Sequence, residues 1–202
     1  RGFDTTAAWA VPGVKAIVTG EDARGFLQGK VLRDLPVLCW DKVRYIGDRV
    51  AAVAAETPEA ADEALLLIDV DYEILPAVFD PMEAMNQSAP LLHDDMSAYD
   101  GAPMEFLAPD IHNGQTRLFW TKGDLEKGFA EADVVLEHSF AIPSRHQGYI
   151  EPFASIIDID DDGRIQAWCA SKAPFRARRQ MAQALGLDEE LIRVNVTSIG
   201  GD

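Results

Sequence analysis

The sequence predicts an α+β chain built as two units, and three observations carry that expectation. Short runs that are apolar or alternate apolar and polar, bounded by glycine or proline, read as strands. Two stretches open on a proline at a helix start and continue with helical spacing. Between about residues 80 and 115, Pro81, Pro90, Gly101, Pro103 and Pro109 break the chain into short polar pieces. About 30 residues without a period is long for the interior of one compact domain. The expected organisation is a first unit at 1–84, a linker or wrapping segment at 85–115 and a second unit at 116–202.

In the first unit, Pro12-Gly13 turns the chain into the alternating run Val14–Thr19, a strand. Lys42–Ile46 alternates in the same way and is expected to be another strand, with Gly47-Asp48 as a hairpin turn into Val50–Ala55. Thr57-Pro58-Glu59 is a helix start: a hydroxyl to cap, proline at the first position, an acid in the first turn. The helix carries Ala60, Ala64, Leu67 and Ile68 on one face, and Val70–Leu75 returns as a strand closed by Pro76. The linker histidines, His93 and His112, lack partners at ligand spacing and read as exposed loop residues.

In the second unit, Asp124 can cap a short helix over 125–130, and Val134–Phe140 and Ala154–Ile159 read as strands. Asp160-Asp161-Asp162-Gly163 is a turn into the strand Arg164–Cys169; it lacks the spaced ligands and closing glutamate of an EF-hand calcium loop. Pro174 opens a helix through Leu185, which Gly186 ends as a left-handed cap. Arg176, Arg178 and Arg179 sit near its start, where the helix dipole disfavours cations, so a local acid or an anion must offset them. Ile192–Val196 is the final strand.

Composition narrows the function classes. The chain has 202 residues, 48% hydrophobic and 26% charged, which excludes a disordered or collagen-like polymer. Eighteen Lys and Arg against 34 Asp and Glu leave a formal charge of −16, which argues against nucleic acid and anionic membrane surfaces as partners. Cys39 and Cys169 form no CxxC spacing and read as reduced thiols of a cytoplasmic protein. No run of 18 apolar residues occurs. The chain begins at Arg1 and stops at Asp202 directly after a strand-like run, so it is expected to be a fragment cut at both ends.

Taken alone, the residues offer no complete catalytic constellation, and no metal ligand set is expected. Ser144-Arg145-His146 sets a serine beside a histidine without the nucleophile elbow, so a hydrolase using His146 has little support. The densest polar text is Ser144–Pro152, with Arg145, His146, Gln147, Tyr149 and Glu151 between two strand-like runs. Such a concentration of donors and acceptors suggests a polar site. A self-satisfied loop, with Glu151 paired to Arg145 or to a neighbouring backbone amide, explains it equally well.

Taken together, these segments resemble the molybdopterin-binding large subunit of the molybdenum hydroxylase family, the group of xanthine dehydrogenase and aldehyde oxidase. Pro12–Asp22 resembles the entry of that family's α/β-hammerhead domain, and Lys42–Ala51 its K-V-x-Y-x-G-x-x-V-A run, with Asp48-Arg49 where Glu-Pro is usual. Ala60–Pro76 is similar to the A-x-x-A-x-x-x-I-x-V-x-Y-x-x-L-P pattern. In the second unit, Gly123–Val135, Gln147–Pro152 and Pro174–Arg178 resemble the G-D…F-x-x-A-D-V-V entry, the L-E-P/T motif and the P-F-x-x-R helix start. Ile199–Asp202 resembles the opening of the G-G-x-F-G loop.

The resemblance implies an α/β-hammerhead domain at 1–84, a linker at 85–115 and the first part of a molybdopterin-binding α+β domain at 116–202. It implies a small-molecule substrate, an aldehyde or N-heterocycle hydroxylated with oxygen from water. Electrons would pass to Fe-S and FAD partner subunits, in a homodimer of heteromers in the full enzyme. The cofactor would be molybdopterin-molybdenum, oriented by Gln147, Arg145 and His146 near the metal's apical ligand and by Gly200, Gly201 and Asp202 through backbone N–H groups. The family's general-base glutamate is expected outside this chain, and Glu151 is expected only to hold its loop. The fragment alone is accordingly expected to be inactive and to bind no cofactor. A non-catalytic interaction or structural module that keeps this architecture is the alternative.

Overall fold

A computed structural model of the chain describes residues 1–101 and 107–201. The first unit runs β1 (Gly2–Asp4), α1 (Thr6–Trp9), β2 (Val14–Thr19), β3 (Leu27–Gln28), β4 (Leu35–Pro36), β5 (Ala51–Ala55), α2 (Pro58–Leu66) and β6 (Asp69–Asp71). The Pro12-Gly13 turn forms because Gly13 takes φ +92°, a conformation open to glycine. It delivers β2 antiparallel to β5, Thr19 opposite Ala51 and Val14 opposite Ala55. Thr57 caps α2 by accepting from Ala60 N at 3.2 Å, with Pro58 at the first helical position. Ala8 of α1 and Ala64 of α2, both fully buried, let the two helices approach closely. Around them gather Val11, Val14, Ile17, Val53, Ala60 and Ile68, the core of this unit. Leu67, expected on the same face, is the C-cap residue and remains exposed.

Two expected strands are corrected here. Lys42–Ile46 forms none, because neighbouring side chains satisfy its backbone. Arg44 N donates to Asp48 Oδ2 at 2.7 Å, Lys42 N to Asp41 Oδ1, and the Arg44 guanidinium to Lys42 O. The turn after it does form, with Gly47 at φ +109° and Asp48 N donating to Tyr45 O. Val70–Leu75 is extended in the ladder only as far as Asp71, since its partner β1 ends at Gly2. There the Arg1 ammonium donates to Asp71 O at 2.8 Å, and Tyr72, Ile74 and Leu75 lie exposed.

The first unit ends on α3 (Pro81–Ala84), capped by Asp80, and the linker after it contains a 3₁₀ turn at Met96–Ala98. The linker is tied to the first unit by cations on carbonyls: Lys42 Nζ donates to Leu91 O and Arg44 Nε to Leu92 O, each at 3.0 Å. Asn113, at φ +55°, knots the segment by donating to Ala84 O and Pro90 O and accepting from Leu92 N. The two histidines are half-buried rather than exposed, because each pairs within the segment. His93 Nδ1 meets Tyr99 Oη at 2.9 Å and His112 Nε2 meets Ala89 O at 2.8 Å. Burial, then the nearby Arg44 charge, lowers the His93 pKa. Pro103 lies outside the described residues.

The second unit contains α4 (Leu125–Glu131), β7 (Ser155–Ile159), β8 (Ile165–Cys169), α5 (Pro174–Leu185) and β9 (Ile192–Val196). Asp124 caps α4 through Lys127 N at 3.0 Å. β7 and β8 form a hairpin whose turn is held by Asp160 Oδ1 accepting from Asp162 N and Arg164 N. β8 and β9 are parallel, Ala167 opposite Val194, with α5 as the crossover. Ile165, Ala182 and Ile192 are buried between helix and sheet. Glu189 supplies the acid that the arginine cluster requires, at 3.3 Å from Arg178 Nη2 and 3.4 Å from Arg179 Nε. Gly186 ends α5 at φ +66°. Val134–Phe140, expected as a strand, is not one. Its residues are exposed, and alternation alone supplies no partner edge.

Cys39 and Cys169 are free thiols, and burial, reinforced by Asp48, pushes the Cys39 thiol up to about 11. Among the described residues no helix is long and apolar enough to cross a membrane.

Candidate cofactor-binding site

The segment 144–152 has no strand or helix of its own, yet its course is defined. Gly148 takes φ +71° and its N–H donates to His146 Nδ1 at 3.0 Å. With Nδ1 accepting, the neutral ring carries its hydrogen on Nε2. The Tyr149 ring, half-buried, stands between His146 at 4.7 Å and Phe153 at 5.4 Å. Arg145, His146 and Gln147 themselves are exposed.

The chain returns to this segment 50 residues later. Thr197 N donates to Cys169 O at 3.1 Å, prolonging the parallel pairing beyond β9 and leading the backbone toward 199–201. Ile150 N then donates to Gly200 O at 3.0 Å, and Gly200 N donates to Glu151 Oε2 at 2.8 Å. Contact is close enough to require glycine. A Cβ on Gly200 would stand 2.9 Å from Glu151 Cβ and 3.2 Å from Glu151 N. One on Gly201, at φ +126°, would stand 3.2 Å from Tyr149 Cβ.

Of the six expected site residues, Gly200 and Gly201 thus lie against Tyr149–Glu151, the continuation of Arg145-His146-Gln147. Asp202 lies outside the described residues. Tyr149 carried no distinct signal in the sequence beyond its place in a dense polar run, and it forms a wall against the diglycine. Glu151, read in the sequence as a loop-holding residue, accepts from the distant Gly200 amide rather than pairing with Arg145. Among the described residues no group of three or more His, Cys, Asp or Glu could hold a metal ion directly. A cleft of about 890 Å³ lies elsewhere, lined chiefly by Trp40–Ile46, Leu75–Phe79 and Pro90–Leu92, and none of the site residues borders it.

The donor set has a chemical direction. Arg145 offers a guanidinium, Gln147 an amide and His146 an Nε2–H, while the diglycine presents bare backbone. These are donors suited to an oxygen-rich, anionic group carried by a cofactor, and glycine leaves room for its close approach. A metal bound by its own organic ligand would need no side chain of this chain to coordinate it.

Comparison with known proteins identifies the family. Residues 1–76 match the family model of the aldehyde oxidase and xanthine dehydrogenase a/b hammerhead domain, and residues 110–202 that of the molybdopterin cofactor-binding domain. A probable xanthine dehydrogenase subunit of Bacillus subtilis (strain 168) is 35% identical over 98% of this chain and 24% of the relative. The carbon monoxide dehydrogenase large chain of Afipia carboxidovorans is 33% identical over 100% of this chain and 25% of its own length. A crystal structure of the Cu,Mo-CO dehydrogenase superposes with a TM-score of 0.82 at 31% identity, covering 100% of this chain and 26% of that one. The chain therefore belongs to the molybdenum hydroxylase family, on the large-subunit side, with the α+β fold of its hammerhead and cofactor-binding domains. It spans about a quarter of the length of these three relatives.

Proposed function

We propose that this chain is part of the large subunit of a cytoplasmic molybdenum-dependent oxidoreductase that hydroxylates an aldehyde or N-heterocyclic carbon with oxygen from water. The carrying observation is the junction of Tyr149–Glu151 with Gly200-Gly201, two close-approach glycines beside three exposed donors. It falls within the residues matched to a molybdopterin cofactor-binding domain. The unit at 1–84 is the hammerhead domain, 85–115 a wrapping segment and 116–202 the start of the cofactor domain. Fe-S and FAD subunits take the electrons, in a homodimer of heteromers; relatives named as subunits support partner chains.

When bound, molybdopterin-molybdenum would supply the redox chemistry of the C–H oxidation. The protein's part is to hold and orient. Gln147 would help hold the group through its amide hydrogens, with the Arg145 guanidinium adding positive charge and His146 Nε2–H a third donor. Gly201 would lend its backbone N–H, since the Gly200 N–H is already taken by Glu151 Oε2, and Asp202, outside the described residues, is the further expected backbone donor. Fixed donors of this kind cost little reorganisation as negative charge develops. The general-base glutamate and the substrate pocket belong to the rest of the subunit. The 202-residue chain alone is therefore expected to turn nothing over and to hold no cofactor.

The test is molybdenum and pterin content, with aldehyde and N-heterocycle turnover, of the complete subunit purified with its partner chains. Near-stoichiometric metal and turnover support the reading. A fully folded complex without molybdenum or pterin would overturn it in favour of a cofactor-free module.

A further inference from the structure

Gly200 is held at two points. Its carbonyl accepts from Ile150 N at 3.0 Å, and its N–H donates to Glu151 Oε2 at 2.8 Å. The first bond fixes the peptide plane between Gly200 and Gly201, the second the plane between Ile199 and Gly200. In a trans peptide the N–H lies opposite the C=O. Because the Gly200 carbonyl points at Ile150, the Gly201 N–H points away from the 149–151 backbone. Gly201, at φ +126°, has little intrinsic preference for that orientation, and two glycines in succession make this the least self-determined stretch of backbone near the site. Only an outside tether can keep the donor aimed.

The tether is unusual in using a side chain. The Ile150 link joins two backbones, as in a sheet, but the second link is closed by a half-buried carboxylate instead of a carbonyl. An ionised acceptor makes the stronger bond, and backbone tolerance alone does not call for one here. Glu151 is also flanked by Pro152, whose fixed φ stiffens the chain on the side away from Ile150.

We infer that Glu151 is a positioning residue of the cofactor site: by holding the Gly200 N–H it fixes the peptide plane before Gly200 while Ile150 holds the plane after it, and the two links together keep the Gly201 N–H aimed outward, toward the group that Arg145 and Gln147 also address. The inference rests on the functional reading above and goes beyond it, since it assigns the aim of one donor to a residue that touches neither cofactor nor substrate.

The experiment compares wild type, Glu151→Ala, Glu151→Gln and Gly200→Ala in the complete subunit purified with its partner chains. Three quantities are read: pterin retained after gel filtration, hydrogen exchange of the peptide spanning 197–201, and the Mo(V) electron paramagnetic resonance signal. Glu151→Ala should retain about 10- to 100-fold less pterin, exchange faster at 199–201 and broaden the signal. Glu151→Gln still offers an amide oxygen to Gly200 N–H and should stay within about threefold of wild type. Gly200→Ala pushes on the same link, so its effect should fail to add to that of Glu151→Ala. Should Glu151→Ala not fold, Glu151→Asp, one methylene shorter, replaces it and should fall between Ala and Gln. Wild-type pterin retention and signal in Glu151→Ala would overturn the inference and leave the functional reading standing. Equal loss in Glu151→Gln and Glu151→Ala, with unchanged exchange at 199–201, would also overturn it. A folded wild-type subunit without pterin would remove the functional reading itself, and the role of Glu151 with it.

Discussion

Residues 1–76 and residues 116–201 have similar textures in sequence but satisfy them differently. In the first region the helices and the β2–β5 pair close around Ala8, Val11 and Ala64, and the apolar sides of their residues find one another. In the second, α5 covers one part of the β8–β9 pair, whereas every residue of β7 is exposed. Val134, Leu136, Phe140, Ile156 and Ile159 all keep more than half of their surface in solvent. The difference teaches that strand-like patterning declares a side chain's preference for burial, not the presence of what buries it. Under the proposed function, the rest of the large subunit covers this surface.

The largest effect that would sharpen the contrast is an acid placed in each region. Ala64→Asp puts an unpaired carboxylate into the fully buried helix contact and should cost about 3 kcal/mol or more. Ile157→Asp, at a position 49% exposed, should change the stability of the 202-residue chain by less than about 0.5 kcal/mol. Urea denaturation reads both. In the complete subunit the Ile157 substitution should become strongly destabilising, and persistent neutrality there would break the comparison.

A smaller effect is expected between the two regions. Asn113→Ala removes three hydrogen bonds that gather Ala84, Pro90 and Leu92, and should cost about 1–2 kcal/mol. It should also raise protease sensitivity within 85–100 while leaving the β2–β5 pair protected. Equal protection in wild type and variant would show that the remaining ties, from Lys42, Arg44 and the histidine pairings, suffice to hold the segment.

The smallest effect is a pH dependence. The His93 pKa is lowered in the fold by burial first and then by Arg44, with Lys42 adding to this and Asp34 and Asp94 opposing it, and its Nδ1 meets the Tyr99 hydroxyl. The unfolded chain therefore binds the proton more readily. The stabilisation is complete above the ordinary imidazole value of about 6.5 and declines as the pH falls below it. A thermal melt series from about pH 7.5 to about 5.5, spanning that value, should show a decline that His93→Gln flattens. An unchanged slope in that variant would assign the decline to other groups.

How much of this was legible beforehand follows from what each signal depends on. The turn at Gly13, the caps at Thr57 and Asp124 and the left-handed stop at Gly186 depend on nearby atoms, and each formed where its residues placed it. Lys42–Ile46 failed because Asp41 and Asp48 compete for its backbone N–H groups, a contest that alternation does not register. Val134–Phe140 failed for lack of an edge, which no local pattern encodes. At the site, the polar density of 144–152 was visible, but its partner 50 residues away was not legible from spacing. It was suggested only by resemblance, and Glu151's actual partner, the Gly200 amide, emerged only in the folded chain.

Anomalous scattering at the molybdenum edge, from crystals of the complete subunit with its partner chains, tests the central claim most directly. The account predicts one molybdenum peak per large subunit, beside both the Arg145–Gln147 bend and Gly200-Gly201. A peak remote from both stretches would contradict it.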